Sequence, residues 1–234
     1  SYLSIMEARS SEDFRAQIVR FAEEMGFQYV SAMTVVDHSL TQSDFINIDN
    51  MPDGWRAAGA TMANSHQRDP VRQQCKRGAV PIVWDQATYL KHGAVDLWEE
   101  QAGFGYRTGI ALALHMPEGR HFMLGVDREQ PLPRMPHELT RLVADLQLFA
   151  VHAQDTALRL FVPPEQLVDA PSLTPRELES LRWTMEGKTA WEVGSILGIS
   201  ERTAVLHIQN AMRKLGSVNK HQAVLKALRL GLIH

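Results

Sequence analysis

Residues 173–233 read LTPRELESLRWTMEGKTAWEVGSILGISERTAVLHIQNAMRKLGSVNKHQAVLKALRLGLI. The stretch is punctuated as four short helices. Thr174 caps the first, Pro175 takes N1 and Glu177 at N3 completes a capping box. Gly187 ends that helix. A second runs from about Thr189 to Leu197, and Gly198-Ile199-Ser200 makes a tight turn. Ser200 caps a third helix, Glu201 to Leu215. Asn219 with Gln222 forms a further capping box for a fourth, to about Leu230. Two short helices joined by a glycine turn are the pattern of a helix-turn-helix, whose second helix lies in the major groove of DNA.

Spacing says which face of the third helix is free. Ala204, Ile208, Ala211 and Leu215 recur at four, three and four residues and pack inward. Arg202, Val205, Leu206, Gln209 and Arg213 are left facing outward. Val205 and Leu206 suit thymine methyls, and Gln209 suits an adenine or another base edge. Lys188, Arg202, Thr203 and Lys214 are placed to hold phosphates. The plainer alternative is a four-helix bundle whose charges are merely solvated. Gly187-Lys188-Thr189 also resembles the end of a phosphate-binding loop. The glycine such a loop needs upstream would fall at Arg182, and no strand precedes it, so nucleotide binding there is rejected.

Charge separates this segment from the rest. Residues 172–234 carry nine Lys/Arg against five Asp/Glu; residues 1–171 carry 15 against 22. A net +4 suits a polyanion, and a net −7 does not. No run approaches the roughly 18 apolar residues of a membrane span. The start lacks a secretory pattern, and the single cysteine, Cys75, forbids an intrachain disulfide. A cytoplasmic protein with no membrane partner is expected.

Upstream, Val162 to Ser172 holds three prolines and reads as a linker. Before it, helices flank strands. Ser10 to Met25 has Phe14, Ile18, Phe21 and Met25 at helical spacing. Asp69-Pro70 opens a helix towards Arg77. Phe27 to Val36, Phe45 to Ile48, Val80 to Trp84, Gly109 to His115 and His121 to Val126 read as strands, the last two joined by a hairpin loop. Pro136 to Phe161 is a long amphipathic helix. The expected fold class is α+β: an N-terminal α/β/α sandwich around an antiparallel sheet, 1–161, a linker, 162–172, and an all-α helix-turn-helix domain, 173–234.

The quoted stretch closely resembles the C-terminal DNA-binding domain of LuxR-type regulators. The resemblance is carried by Glu177, Leu181, Gly187, Lys188, Thr189, Glu192, Ile196, Ser200, Glu201, Thr203, His207, Asn210, Lys214, Leu215 and Gly231-Leu232-Ile233. It implies that the start of the third helix enters the groove and that the fourth can dimerise. It adds Thr189 and Asn210 to the DNA-contacting set. The usual TVxxH fragment departs here by Ala204 in place of valine.

The N-terminal part more loosely resembles the autoinducer-binding domain of quorum-sensing regulators, which bind N-acyl homoserine lactones. The carrying pieces are Pro52-Asp53-Gly54-Trp55, Asp69-Pro70-Val71, VPIVWD ending at Asp85, LWEEQAGFGYRTG ending at Gly109, and the paired strands after it. By the resemblance, Trp55 donates its indole N–H to the lactone carbonyl and Asp69 accepts the amide N–H. Trp84 and Trp98 wall the pocket, with Val71 and Phe104 beside them, and Gly109 permits close backbone approach. Family members often have tyrosine where Met51 and Gly59 stand, and a strand serine or threonine where Gly125 stands. The stretch from Trp55 to Asp69 is one residue longer. These departures leave open a bulkier acyl chain, water bridges or a non-lactone ligand.

The expected function is therefore a ligand-responsive regulator that binds an inverted-repeat site on double-stranded DNA as a homodimer. It needs no cofactor or metal beyond its small-molecule ligand. A response regulator shares this DNA domain, but its receiver needs an acidic pair after the first strand, and only Asp37 is available. An enzyme reading finds no Gly-x-Ser-x-Gly, no paired metal-ligand histidines, and in Cys75 a mid-helix core residue.

Overall fold

The computed structural model describes residues 2–37, 43–52, 54–55, 67–163 and 171–234. Contacts divide the chain into two compact units, one formed by Ser1–Met116 and Arg120–Gln166, the other chiefly by Leu167–His234.

The first unit is built on five antiparallel strands: β1 (Tyr29–Asp37), β2 (Ser43–Asp49), β3 (Ile82–Trp84), β4 (Thr108–Met116) and β5 (Arg120–Arg128), in the order β2-β1-β5-β4-β3. In β1, β4 and β5, side chains two apart share a face. Val30, Ala32, Ile110, Leu112, Phe122, Leu124 and Val126 point to one side. There they pack on α1 (Ser11–Glu24) and on α5 (Pro136–Phe161). α1 contributes Phe14, Ile18 and Ala22, and α5 contributes Leu146, Phe149, Ala150 and Ala153. Ser10 caps α1 by accepting the Asp13 N–H at 3.0 Å.

The opposite face faces α2 (Pro70–Arg77), α3 (Gln86–Lys91) and α4 (Val95–Ala102). The sheet is thus flanked by helices, as expected. The strand read as Val80 to Trp84 is shorter, Ile82–Trp84, because Pro81 lacks the ladder N–H. α3 and α4 were not anticipated. They are six and eight residues long, too short for periodicity to register.

The second unit is four helices: α6 (Pro175–Met185), α7 (Ala190–Leu197), α8 (Glu201–Lys214) and α9 (Lys220–Arg229). Leu181, Ala211, Leu215, Ala223, Ala227 and Ile233 form its core. Thr174–Glu177 and Thr189–Glu192 close reciprocal capping boxes. Asn219 caps α9 by accepting the Gln222 N–H at 2.8 Å, but Gln222 Oε1 accepts from the Val218 N–H at 2.7 Å. The return bond expected at Asn219 is shifted back by one residue. Gly198 turns the chain at φ +66°, and Gly194 lets that turn pass close: a Cβ there would lie 2.9 Å from the Ile199 carbonyl oxygen.

Candidate functional site

The sheet face opposite α1 and α5 is lined by small residues. Register aligns Ser31, Gly125, Ala111 and Ile82 in one row, and Tyr29, Asp127, Gly109 and Trp84 in the next. Glycine and alanine in the middle of these rows leave space between the sheet and the helices. The space is a cavity of about 150 Å³. Its walls include Ser31, Met33, Met51, Trp55, Asp69, Val71, Arg72, Cys75, Trp84, Tyr89, Gln101, Tyr106, Met123, Gly125 and Asp127. A second cavity of about 470 Å³ lies beside it and shares Met33, Arg72, Cys75 and Met123. The outer cavity adds Val35 and Phe45, and ends on a polar chain. There the His115 and His121 Nδ1 atoms are 2.9 Å apart, and His121 Nε2 stands 3.1 Å from Asp37 Oδ2.

Asp69 uses its two oxygens differently. Oδ1 accepts from the Val71 and Arg72 N–H groups at 2.9 and 3.3 Å, capping α2, and from the Tyr89 hydroxyl at 3.3 Å. Among the described residues, Oδ2 has only Arg72 Nε, 3.7 Å away. The capping role and an acceptor role towards the cavity are thus compatible in one side chain. Trp55 packs against Phe104 and Tyr106, with centroids at 5.4 and 5.3 Å, and Tyr106 stacks on Tyr29 at 4.6 Å. Among the described residues, the indole N–H groups of Trp55 and Trp84 meet no acceptor.

Met51, Trp55, Asp69, Val71, Trp84 and Gly125 thus come together on the inner cavity. Trp98 and Phe104 stand behind that wall: Trp98 donates to the Arg107 carbonyl at 2.9 Å, and Phe104 backs Trp55. Gly109 is demanded by the protein itself. A Cβ there would overlap Asp127 Oδ1 and lie 2.6 Å from the Val126 oxygen and 2.7 Å from Trp84 Nε1. Gly59 lies outside the described residues. Sequence reasoning missed Tyr89, Gln101, Arg72 and Asp127. Asp127 carried a usable signal, since it stands two residues beyond Gly125 on β5 and therefore on the same face.

Burial shapes the chemistry of this cavity. It pushes the Asp127 carboxyl up to about 8, with Asp69 adding to the effect. It raises Tyr89 far above an ordinary phenol, and the Cys75 thiol to about 11, again with help from Asp69. Cys75 is 2 % exposed and is a core residue.

In the second unit, α8 buries Ala204, Ile208 and Ala211 and presents Arg202, Leu206, Gln209 and Arg213 to solvent, with Val205 half-buried. A groove of about 360 Å³ gathers Lys188, Ala190, Val205, Gln209, Met212, Asn219 and Lys220. Lys220 is a cation the sequence reading did not single out. Thr189 caps α7, Thr203 Oγ1 lies 2.8 Å from Ser200 Oγ, and Asn210 accepts from Arg213. Lys188 stands 3.9 Å from Glu192. Lys214, expected at a phosphate, donates to Glu177 at 2.8 Å and to the Ser172 carbonyl at 3.2 Å. Burial opposes the Glu177 charge, but Lys214 and the Thr174 N–H outweigh it and hold the carboxyl below its usual range.

Two family models match the chain. Residues 10–157 match the autoinducer binding domain, and residues 171–227 match bacterial regulatory proteins of the luxR family. The chain belongs to the LuxR family of autoinducer-binding regulators. It is a transcriptional regulator and not an enzyme. Similar LuxR-family proteins extend over its whole length. The transcriptional activator AhyR of Aeromonas hydrophila is 29 % identical, covering 99 % of this chain and 90 % of its own. The activator SolR of Ralstonia nicotianae is 30 % identical, covering 100 % and 97 %. Among solved structures, SdiA in complex with octanoyl-rac-glycerol is 26 % identical with a TM-score of 0.69, covering 100 % of this chain and 93 % of that one. In this LuxR-family chain, autoinducer binding belongs to the sheet unit and DNA binding to the four-helix unit.

Proposed function

We propose that this regulator senses an N-acyl homoserine lactone and binds an inverted-repeat operator as a homodimer. Residues 1–161 form the sensor, 162–172 the linker and 173–234 the DNA-binding domain. The observation that carries the ligand class is the junction of a small polar-lined cavity with a larger apolar one. Asp69 Oδ2 is placed for an amide N–H, Trp55 and Trp84 supply donors for carbonyls, and the outer cavity suits an acyl tail. On the DNA side, Arg202, Val205, Leu206 and Gln209 reach bases and phosphates, supported by Lys188 and Thr189, while Lys214 braces α6. Leu148 and Val151, 44 % and 52 % exposed on α5, and Leu225 and Leu228 on α9 supply apolar surface for a partner copy.

A titration of the full chain with acyl lactones of graded chain length, followed by thermal unfolding, tests the ligand. Stabilisation by one length class supports the reading. A specific observation favours a second reading, a neutral non-lactone amphiphile. Met51 and Gly125 bring no hydroxyl to the head group, and the similar SdiA structure holds octanoyl-rac-glycerol. Stabilisation by an acyl glycerol and by no lactone would select it. For DNA, binding of a selected operator should fall steeply with salt, at roughly 0.9 in logarithmic slope per phosphate contact. Arg202→Ala should lower that slope by about one contact. Light scattering that finds only monomers, free and on DNA, would reject the dimer.

A further inference from the structure

The inner cavity holds two carboxyls, and they are not equivalent. Asp69 accepts three hydrogen bonds, from Val71 N–H, Arg72 N–H and the Tyr89 hydroxyl, and stands beside the Arg72 guanidinium. Donors and a cation are thus already in place around that carboxyl. The Asp127 carboxyl has no hydrogen-bond partner among the described residues, although it borders the same cavity. Nearby, Gln101 is 8 % exposed, and its Nε2 has no acceptor among the described residues. Buried polar groups without partners are costly and uncommon, so Gln101 Nε2, beside a half-buried carboxyl that also lacks a partner, points to a ligand that supplies what is missing.

Charge decides what kind of ligand. Asp69 and Arg72 balance. An ionised Asp127 would leave an uncompensated negative charge beside Asp69; a neutral Asp127 leaves the cavity with none. A neutral carboxyl brings one O–H donor. It adds a donor on the strand wall of the cavity, where the neighbouring Gly125 carries no hydroxyl. We infer that Asp127 is a ligand-binding residue that donates a hydrogen bond from its carboxyl O–H to a carbonyl oxygen of an uncharged ligand, with Gln101 Nε2 as a second donor. This rests on the assignment of the inner cavity to the ligand head group. It deepens that assignment by naming the ligand as neutral and rich in acceptors, and by making affinity depend on a proton the protein holds. Burial supports it, since the carboxyl is pushed up to about 8.

The groups facing Asp127 across the cavity are Asp69, Arg72 and Cys75, from α2 and its cap, and Tyr89, from α3. Cys75 and Tyr89 are raised too high to titrate near neutrality. His115, His121 and Asp37 border the outer cavity, which Asp127 does not line, and every variant keeps them. The difference between wild type and an Asp127 variant therefore isolates this group.

The test is calorimetric titration of the full chain with N-octanoyl homocysteine thiolactone, chosen to resist ring opening, from about pH 6.5 to about pH 9. Wild-type affinity should fall about tenfold between about pH 7 and pH 9, as a proton with a pKa of about 8 is lost. Asp127→Asn keeps a donor that does not titrate. It should bind within about threefold of wild type at pH 7 and lose this pH dependence. Asp127→Leu keeps similar bulk without a donor and should bind about three- to tenfold more weakly at pH 7. Should the leucine variant fail to fold, the asparagine profile decides alone. Equal pH profiles for wild type and Asp127→Asn, or wild-type affinity that rises with pH, would overturn the inference while leaving the ligand class intact. No binding by any form at any pH rejects the lactone reading, and this inference with it.

Discussion

The two faces of the sheet are made by the same three strands, from alternate residues, and could hardly differ more. On one face Ile110, Leu112, Phe122, Leu124 and Val126 meet α1 and α5 with every position filled. On the other, Ala111, Gly125 and Asp127 border a cavity, at whose wall Gln101 Nε2 has no acceptor among the described residues. One face holds the fold without help. The other encloses a cavity. A receptor needs both, because a ligand can stabilise only what is incomplete without it.

Truncation should expose this contrast most strongly. Phe149→Ala on the filled face should cost about 3–5 kcal/mol, since the side chain is fully buried and its neighbours cannot close the gap. Chemical denaturation with and without ligand should show the same loss in both. A loss that ligand repairs would break the distinction between the faces.

The ligand itself is the next largest effect. At roughly a hundred times its dissociation constant it should add about 2.7 kcal/mol to the sensor's stability. Asp69→Ala should weaken binding by about 1.5–3 kcal/mol by removing an ionised acceptor, with Asp69→Asn intermediate. The alanine change also removes the α2 cap, so the two variants must be compared for stability as well as binding. An alanine variant that binds as tightly as wild type would remove Asp69 from the site.

Acidity distinguishes the faces too. Asp127 is raised in the folded state, so its contribution to stability is fully present below the ordinary aspartate value of about 4 and is lost as pH rises to about 8. In that window the ligand-free protein should lose up to about 1.4 kcal/mol per pH unit from this group. Asp127→Asn should remove that slope and leave the other titrations in place. Identical slopes would place the carboxyl in water rather than in the cavity wall.

The smallest effect separates space from packing. A Cβ at Gly125 would have only the Ala111 Cβ near it, at 3.9 Å. Gly125→Ser should therefore change stability by less than about 1 kcal/mol and tighten acyl lactone binding by about 0.5–1.5 kcal/mol. Gly109→Ser, in the adjacent row, should destabilise severely, because Val126, Trp84 and Asp127 already occupy its space. Equal tolerance at both positions would contradict the register that separates them.

The four-helix unit was legible almost residue by residue. Thr174, Thr189, Ser200 and Asn219 announce four helix starts, and each caps as written, because capping is decided within three residues of chain. Lys214 was the exception. Its partner Glu177 lies on another helix, and no local pattern reports a pairing 37 residues away. The sensor was legible in its strands and long helices, and in Trp55, Asp69 and Trp84 through resemblance. Gln101 and Tyr89 were not, since they sit on two short helices that carry no periodic signal.

Local chemistry by itself determined the order of elements, the caps, the turn at Gly198 and the inward stripe of α8. Each depends on φ/ψ preferences and on side chains within one or two turns of each other. Tertiary structure alone decided which small residues empty a space and which merely pack. Gly109 and Gly125 look alike in sequence. Strand register sets one against a tryptophan and a carboxyl and the other beside a cavity. It also decided that Asp127 borders the same cavity as Asp69. A charge is stabilised or opposed by whatever surrounds it in space, and that neighbourhood is assembled from strands and helices far apart in the chain.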